Sequence, residues 1–203
     1  MDTEKEYIES LEKKIEELQR ELQLNKLRRQ VTPHFLFNSI SVAVSLVLQS
    51  PKTAVTFLRH LAEMYRYLLN YGNELYVPVE KEMEMVKKYY ELMSLRHVNC
   101  IFLEISTKAK RLKKHPMPPL ALQGLLENAI KHNIHTTDNP LHITIDCDSN
   151  YLSISNKLMP LLSDTTSTQT GHAYMAQTMQ LLFKKDIIIK NDGNIFTVKI
   201  PLV

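Results

Sequence analysis

Apolar positions follow one rhythm in the first half of this chain and another in the second. Ile8, Leu11, Ile15, Leu18 and Leu22 step by three and four, with Glu, Lys and Arg crowding both flanks. This is a heptad seam with isoleucine and leucine in alternation, and it predicts a parallel two-stranded coiled coil over residues 1–30. A single amphipathic helix packed on its own domain is the alternative. The seam meets Asn25 and loses register before residue 30, a break through which helix rotation could be transmitted.

Helical patterning resumes from about Pro33 to Leu48. It restarts at Ser50 and Pro51, which are start signals, and stops at Gly72. Leu58, Leu61, Tyr65 and Leu68 form the apolar stripe expected for that second helix. A third helix is predicted over Pro78–His97, with Met83, Val86, Tyr90 and Met93 on one face. Near residue 100 the period changes. "NCIFLEIS", "LHITIDCD", "YLSISN", "KDIIIKN" and "NIFTVKIPL" read as short strands. "NDGN", Asn191–Asn194, is a hairpin turn between the last two. Helical stretches lie between the strands around "LALQGLLENAIKHN" and "HAYMAQTMQLLF", and "SDTTSTQTG", Ser163–Gly171, reads as a polar, mobile loop. The expected organisation is a coiled coil at 1–30, a helical region at 31–100 and a mixed α/β region at 101–203.

Composition removes several classes. The 203 residues are 44% hydrophobic and 23% charged, ordinary for a soluble protein. A net charge of +3 without a basic, aromatic-laced stripe argues against nucleic acid. No apolar run is long enough to span a bilayer and no signal peptide opens the chain, so a cytoplasmic location is expected. A membrane anchor would lie outside this stretch if it is a fragment of a longer receptor. Cys100 and Cys147 stand far apart, outside any metal-ligand spacing, and read as reduced thiols. Only four glycines are present, so a phosphate site must manage without a glycine-rich cradle.

Two stretches carry candidate chemistry. In "VTPHFLFNSI", Val31–Ile40, His34 follows a proline and precedes Asn38 by one helical turn. A core histidine at the start of an apolar helix is the plain reading, with Thr32 as cap and Pro33 at the first position. Imidazole is also the side chain that switches between neutral nucleophile and cation near neutral pH. In "LLENAIKHN", Glu127, Asn128, Lys131 and His132 share neighbouring turns of one helix, while Leu125, Leu126, Ala129 and Ile130 would pack. An amide oxygen suits Mg²⁺, and Lys131 and His132 can neutralise phosphate. A solvated polar helix face is the alternative.

"TPHFLFNSI", "LAEMYRYLL", "VPVEKEMEMVKKYYELMSLRH", "MPPLALQGLLENAIKHN" and "IFTVKIPL" occur in one order. Together they resemble the Lyt-type sensor histidine kinases from about Leu27 to the C-terminus. That resemblance implies an α+β protein: a helical dimerisation and phosphoacceptor domain, then a Bergerat-type (GHKL) α/β sandwich that binds ATP. It implies His34 as phosphoacceptor, with Asn38 the nearest group to orient its ring. It implies Asn128 as the ligand that holds Mg²⁺ against the phosphates, with Glu127, Lys131 and His132 completing that box. It further implies a homodimer and a response-regulator partner, often of the LytTR type.

Two boxes depart from the family. The expected Asp-x-Gly-x-Gly after a strand is absent, and Asn156 is the stand-in for the adenine-contacting aspartate. The lid reads "QTGHAYMAQT", in which only Gly171 survives. Gln169, His172, Tyr174 and Thr178 replace the first glycine, leucine, asparagine and arginine. The sequence therefore supports two functions. One is a kinase that phosphorylates His34 from Mg-ATP. The other is a degenerate kinase that keeps the fold and dimer as a regulatory module with weak or no ATP binding.

Overall fold

The computed structural model describes Lys14 and residues 33–159 and 170–203, with side chains from 38 to 159 and from 175 onward. The coiled-coil expectation for 1–30, Lys14 apart, and most of the polar loop expectation fall outside these residues. The chain divides into two compact units, Met1–Ser41 and Val42–Val203. Helix α1, Pro33–Gln49, begins in the first and ends in the second.

In the second unit, α2 spans Pro51–Tyr71 and α3 spans Val79–Arg96. The α2 start follows its signals: Ser50 is extended, its Oγ accepts from the Thr53 N–H at 3.4 Å, and Pro51 opens the helix. At Gly72 a Cβ would lie 2.4 Å from the Leu68 carbonyl oxygen, so the stop requires glycine. The packed stripe differs from the expected one. Ala54, Phe57, Leu61, Met64 and Tyr67 are buried, whereas Leu58 is 45% exposed and Tyr65 and Leu68 are half-buried. Two apolar ridges run along α2, and periodicity alone does not say which one meets a neighbour.

Helices α2 and α3 form an antiparallel hairpin, tied by Lys88 to Glu63 at 2.8 Å and by Tyr67 to Glu82. A single stripe was expected on α3, but two sides are buried. Val79, Met83, Val86 and Met93 are joined by Glu82, Met85, Tyr89 and Leu92. The reason is its position: α3 packs against α2 on one side and α4, Ala121–His132, on the other. Tyr89 rather than Tyr90 is the fully buried tyrosine.

Two short strands escaped the sequence reading. β1, Val77–Pro78, pairs antiparallel with β3, Pro116–Met117. Each is two residues long and holds a proline, which leaves no alternation to detect. The main sheet has five strands: β2 (Ile101–Ile105), β4 (Leu141–Cys147), β5 (Tyr151–Lys157), β6 (Ile188–Asn191) and β7 (Ile195–Pro201). Their order is β2-β4-β5-β7-β6; β2 and β4 are parallel and the other pairs antiparallel. Alternation places Leu141, Ile143, Ile145, Leu152, Ile154, Val198 and Ile200 on one buried face. Helix α4 packs on β4 and β5 and against α5, Thr170–Phe183. Helix α5 starts two residues inside the stretch read as loop, so Thr170 and Gly171 are helical. The β6–β7 turn falls where "NDGN" placed it. Gly193 has φ +86°, and Asp192 Oδ1 accepts from the Asn194 and Ile195 N–H groups at 2.9 and 2.7 Å. The fold is thus a mixed helix-and-sheet, α+β protein. Among the described residues no helix is long and apolar enough to cross a membrane.

Candidate functional site

Helix α4 is built from both ends. Its own first turn holds no acidic residue and no side-chain cap, and Leu120 just before it is left-handed at φ +64°. The missing cap comes from α3. The Glu82 carboxylate, fully buried, accepts from the Leu120 N–H at 2.7 Å and the Leu122 N–H at 3.0 Å. It also accepts from the Tyr67 hydroxyl at 2.5 Å. Burial pushes Glu82 up to about 7, against the hydrogen bonds from Tyr67, Leu122, Leu120 and Ala121 that hold it down. Burial beside that carboxylate also raises Tyr67 well above the usual phenol range, so it stays a donor.

At the other end Lys131 and His132 occupy the last turn, where cations suit the helix dipole. Asn133 closes the helix. Its Nδ2–H donates to the Ala129 carbonyl at 2.8 Å, and its Oδ1 accepts from the Met159 N–H at 2.7 Å. The Ile134 N–H donates to the Met159 carbonyl at 2.7 Å. The end of α4 is thereby laced to the chain leaving β5, three residues past Asn156.

Between these anchors lie the predicted residues. Leu125, Leu126, Ala129 and Ile130 are buried as expected. Glu127 accepts from Gln123 Nε2 at 2.7 Å, and the buried Tyr89 hydroxyl of α3 is bonded to Gln123. Asn128 differs from its neighbours: its Nδ2 is buried without a protein partner. An unpaired buried amide N–H costs about 1–3 kcal/mol, so a polar ligand at this position would remove a penalty. Asn156 lies on the inner face of β5 with Leu152 and Ile154, opposite Ile143 on β4 and Phe196 on β7, and donates to the Lys157 carbonyl at 2.8 Å. The structure thus gathers Glu127, Asn128, Lys131 and His132 on one helix and sets Asn156 on the sheet that this helix covers.

Of the lid residues, Gln169 lies outside the described residues, and Gly171, His172 and Tyr174 fall in the first turns of α5. Thr178 is described fully. It is 1% exposed beside Met175 and Met179, and its hydroxyl has no partner. His34 is the second residue of α1, and Asn38, one turn on, is exposed. Both belong to the first compact unit, whereas the α4 and β5 residues belong to the second.

The residues that fit a metal are few. Among the described residues no three His, Cys, Asp or Glu side chains are gathered to hold one. A Mg²⁺ ion would therefore rely on the Asn128 amide and on phosphate oxygens, which suits a hard cation that keeps several waters. The unpartnered Asn128 Nδ2 is a donor and suits a phosphate oxygen, while the amide oxygen of the same side chain is the atom that would face the metal. Sequence reasoning missed Glu82, Tyr67, Gln123, Tyr89 and Asn133. Glu82 left one signal: it shares a stripe with Val79, Met83 and Val86, an odd place for a carboxylate.

A family model described as histidine kinase matches residues 22–101. The chain is 28% identical over 208 aligned positions to the sensor protein kinase HptS of Staphylococcus aureus, covering 90% of this chain and 39% of that protein. The chain thus spans about two fifths of the curated relatives it matches. A solved bacterial phosphotransferase, 10% identical, covers 88% of this chain and 95% of its own with a TM-score of 0.50, a likeness of fold. A histidine kinase, AdeS of Acinetobacter baumannii, is 21% identical over 84% of this chain and 98% of its own, with a TM-score of 0.39.

Proposed function

We propose that this chain is the kinase portion of a two-component sensor histidine kinase of the Lyt type. Its domains are a coiled coil at 1–30, a helical phosphoacceptor domain at 31–100 and a GHKL ATP-binding domain at 101–203. The observation that carries the reading is the buried, unpartnered Nδ2 of Asn128, a donor that a phosphate oxygen would satisfy, on the helix that gathers Glu127, Lys131 and His132.

Asn128 holds Mg²⁺ through its amide oxygen, and Lys131 and His132 neutralise phosphate oxygens. Asn156 takes the adenine amino group in place of an aspartate. A Mg²⁺ ion held there would supply charge stabilisation for the transferring group. The neutral His34 imidazole supplies the attacking nitrogen: a P–N bond forms, the bond between the γ-phosphorus and its bridging oxygen breaks, and ADP leaves. The proton on the other ring nitrogen leaves to solvent, while Asn38 orients the ring by hydrogen bond and Glu127 acts within the box of Asn128, Lys131 and His132. Positioning and electrostatics supply most of the rate, as in other phosphoryl transfers. The phosphoryl group then passes to the aspartate of a response regulator, of the LytTR type by the sequence resemblance. A homodimer through the coiled coil and α1–α2, anchored to the membrane by a segment outside this stretch, completes the reading.

One observation favours the degenerate alternative. Thr178 stands where the lid arginine is expected, and it is buried beside Met175 and Met179, so that position offers no cation to a triphosphate. Intact mass at neutral pH after incubation with Mg-ATP, beside His34→Ala, decides between the two. A single acid-labile phosphoryl adduct absent from the variant establishes the kinase. A folded protein without adduct leaves the regulatory module.

A further inference from the structure

Glu82 sits on α3, but its partners belong to two other helices. Tyr67 reaches it from α2, and the Leu120 and Leu122 N–H groups reach it from the start of α4. A methionine or leucine at this position would extend the stripe of Val79, Met83 and Val86 without taking a charge out of water. The carboxylate does something an apolar residue cannot. It satisfies orphan N–H groups at a helix start that has no cap of its own, and it complements that helix's dipole.

We infer that Glu82 is a positioning residue that couples the α2–α3 hairpin to the helix carrying Asn128: one carboxylate, bonded at once to α2 and to the first turn of α4, sets the axial height of α4. Asn128 lies about two turns beyond Leu120, and an α-helix rises 1.5 Å per residue as a stiff rod. An axial slip at the cap therefore arrives at Asn128 almost whole, and metal and phosphate contacts tolerate little of it. A shift or rotation of α2 reaches Glu82 through the Tyr67 hydroxyl, and α4 through two backbone bonds. This assignment rests on the proposed nucleotide site for its consequence, though not for the mechanical link itself.

Amide hydrogen exchange and Mg-ATP affinity of the full chain test it, for wild type, Tyr67→Phe and Glu82→Gln, well below the melting temperature. Both variants are expected to speed exchange selectively in peptides from Leu120 to Asn128. Affinity for Mg-ATP should fall about tenfold, the size implied by losing a hydrogen bond to a charged group. A residue that only stabilises the fold would lower Tm, raise exchange evenly and leave the affinity of the folded protein unchanged; that result overturns the inference. Tyr67→Phe keeps the carboxylate and both backbone bonds, so it decides the matter if Glu82→Gln does not fold. Should wild type bind no Mg-ATP, the proposed nucleotide site fails on its own, and the exchange pattern still decides the coupling.

Discussion

His97 and His135 meet ring to ring, Nδ1 to Nε2 at 3.0 Å with their planes edge-on, and so join the end of α3 to the loop beyond α4. The other nitrogen of His135, Nδ1, lies 2.9 Å from the Asn133 carbonyl oxygen, which can only accept. His135 Nδ1 therefore carries a hydrogen and donates to that carbonyl, and between the two rings one nitrogen donates and the other accepts.

Burial, then the neighbouring His135 and Arg96, holds His97 down at about 4. An unfolded histidine titrates near 6.5, so between pH 6.5 and 4 the unfolded chain binds more protons than the folded one. Stability contributed here is present above pH 6.5 and is lost as pH falls towards 4. His97→Asn should flatten that dependence by a few degrees of Tm, a modest size because the ring is partly exposed. Melting curves from pH 4 to 7.5 on both proteins check this, and parallel curves would remove His97 as the cause.

Glu82 carries the opposite sign. Its folded value of about 7 lies above the ordinary 4.5, so between those limits the folded chain binds more protons. Its net contribution is largest near pH 4.5 and diminishes as pH rises to 7. The Tm gap between wild type and Glu82→Gln should therefore be wider at pH 5 than at pH 7.5. A gap that narrows on acidification contradicts the raised carboxyl.

Asn128→Ala should separate binding from folding. The unpartnered Nδ2 contributes nothing to the protein without nucleotide, and its removal relieves a buried unpaired donor. Unfolding without nucleotide should be unchanged or slightly harder. The Mg-ATP shift, about 2.7 kcal/mol at a hundred times the dissociation constant for an intact site, should vanish. Retention of the shift would show that the metal is held elsewhere.

The two ridges of α2 give a packing test. Phe57→Ala and Met64→Ala cut the buried ridge and should each cost about 2–5 kcal/mol. Leu58→Ser and Leu69→Ser, on the exposed ridge, should leave the stability of the isolated chain within about 0.5 kcal/mol. Urea unfolding at low protein concentration measures both, and comparable losses from the two pairs would mean the ridges are exchanged.

What the sequence disclosed follows from how local each signal is. The start and stop of α2, the helix around Asn128 and the β6–β7 turn rest on short-range rules, and each lies where its residues placed it. The α2 stripe was misplaced because two ridges satisfy the same period. The strands β1 and β3 were invisible because two residues cannot alternate. At the candidate site the charged residues of α4 were legible as one helical face. Their supports were not: Tyr67, Glu82, Tyr89 and Asn133 act through partners far away in the chain, and no spacing rule reports the contacts of α3 with α2 and α4.

The parallel pairing of β2 with β4 bears on the order of folding. Everything from Ser106 to Pro140, α4 included, lies between those two strands, so the pair cannot zip from a turn as β6 and β7 can. Loop-closure entropy delays such a pairing, and its closure must accommodate α4 in the same event. The helix bearing Asn128 thus belongs to the slow, long-range step of refolding, while the β6–β7 hairpin is free to form early.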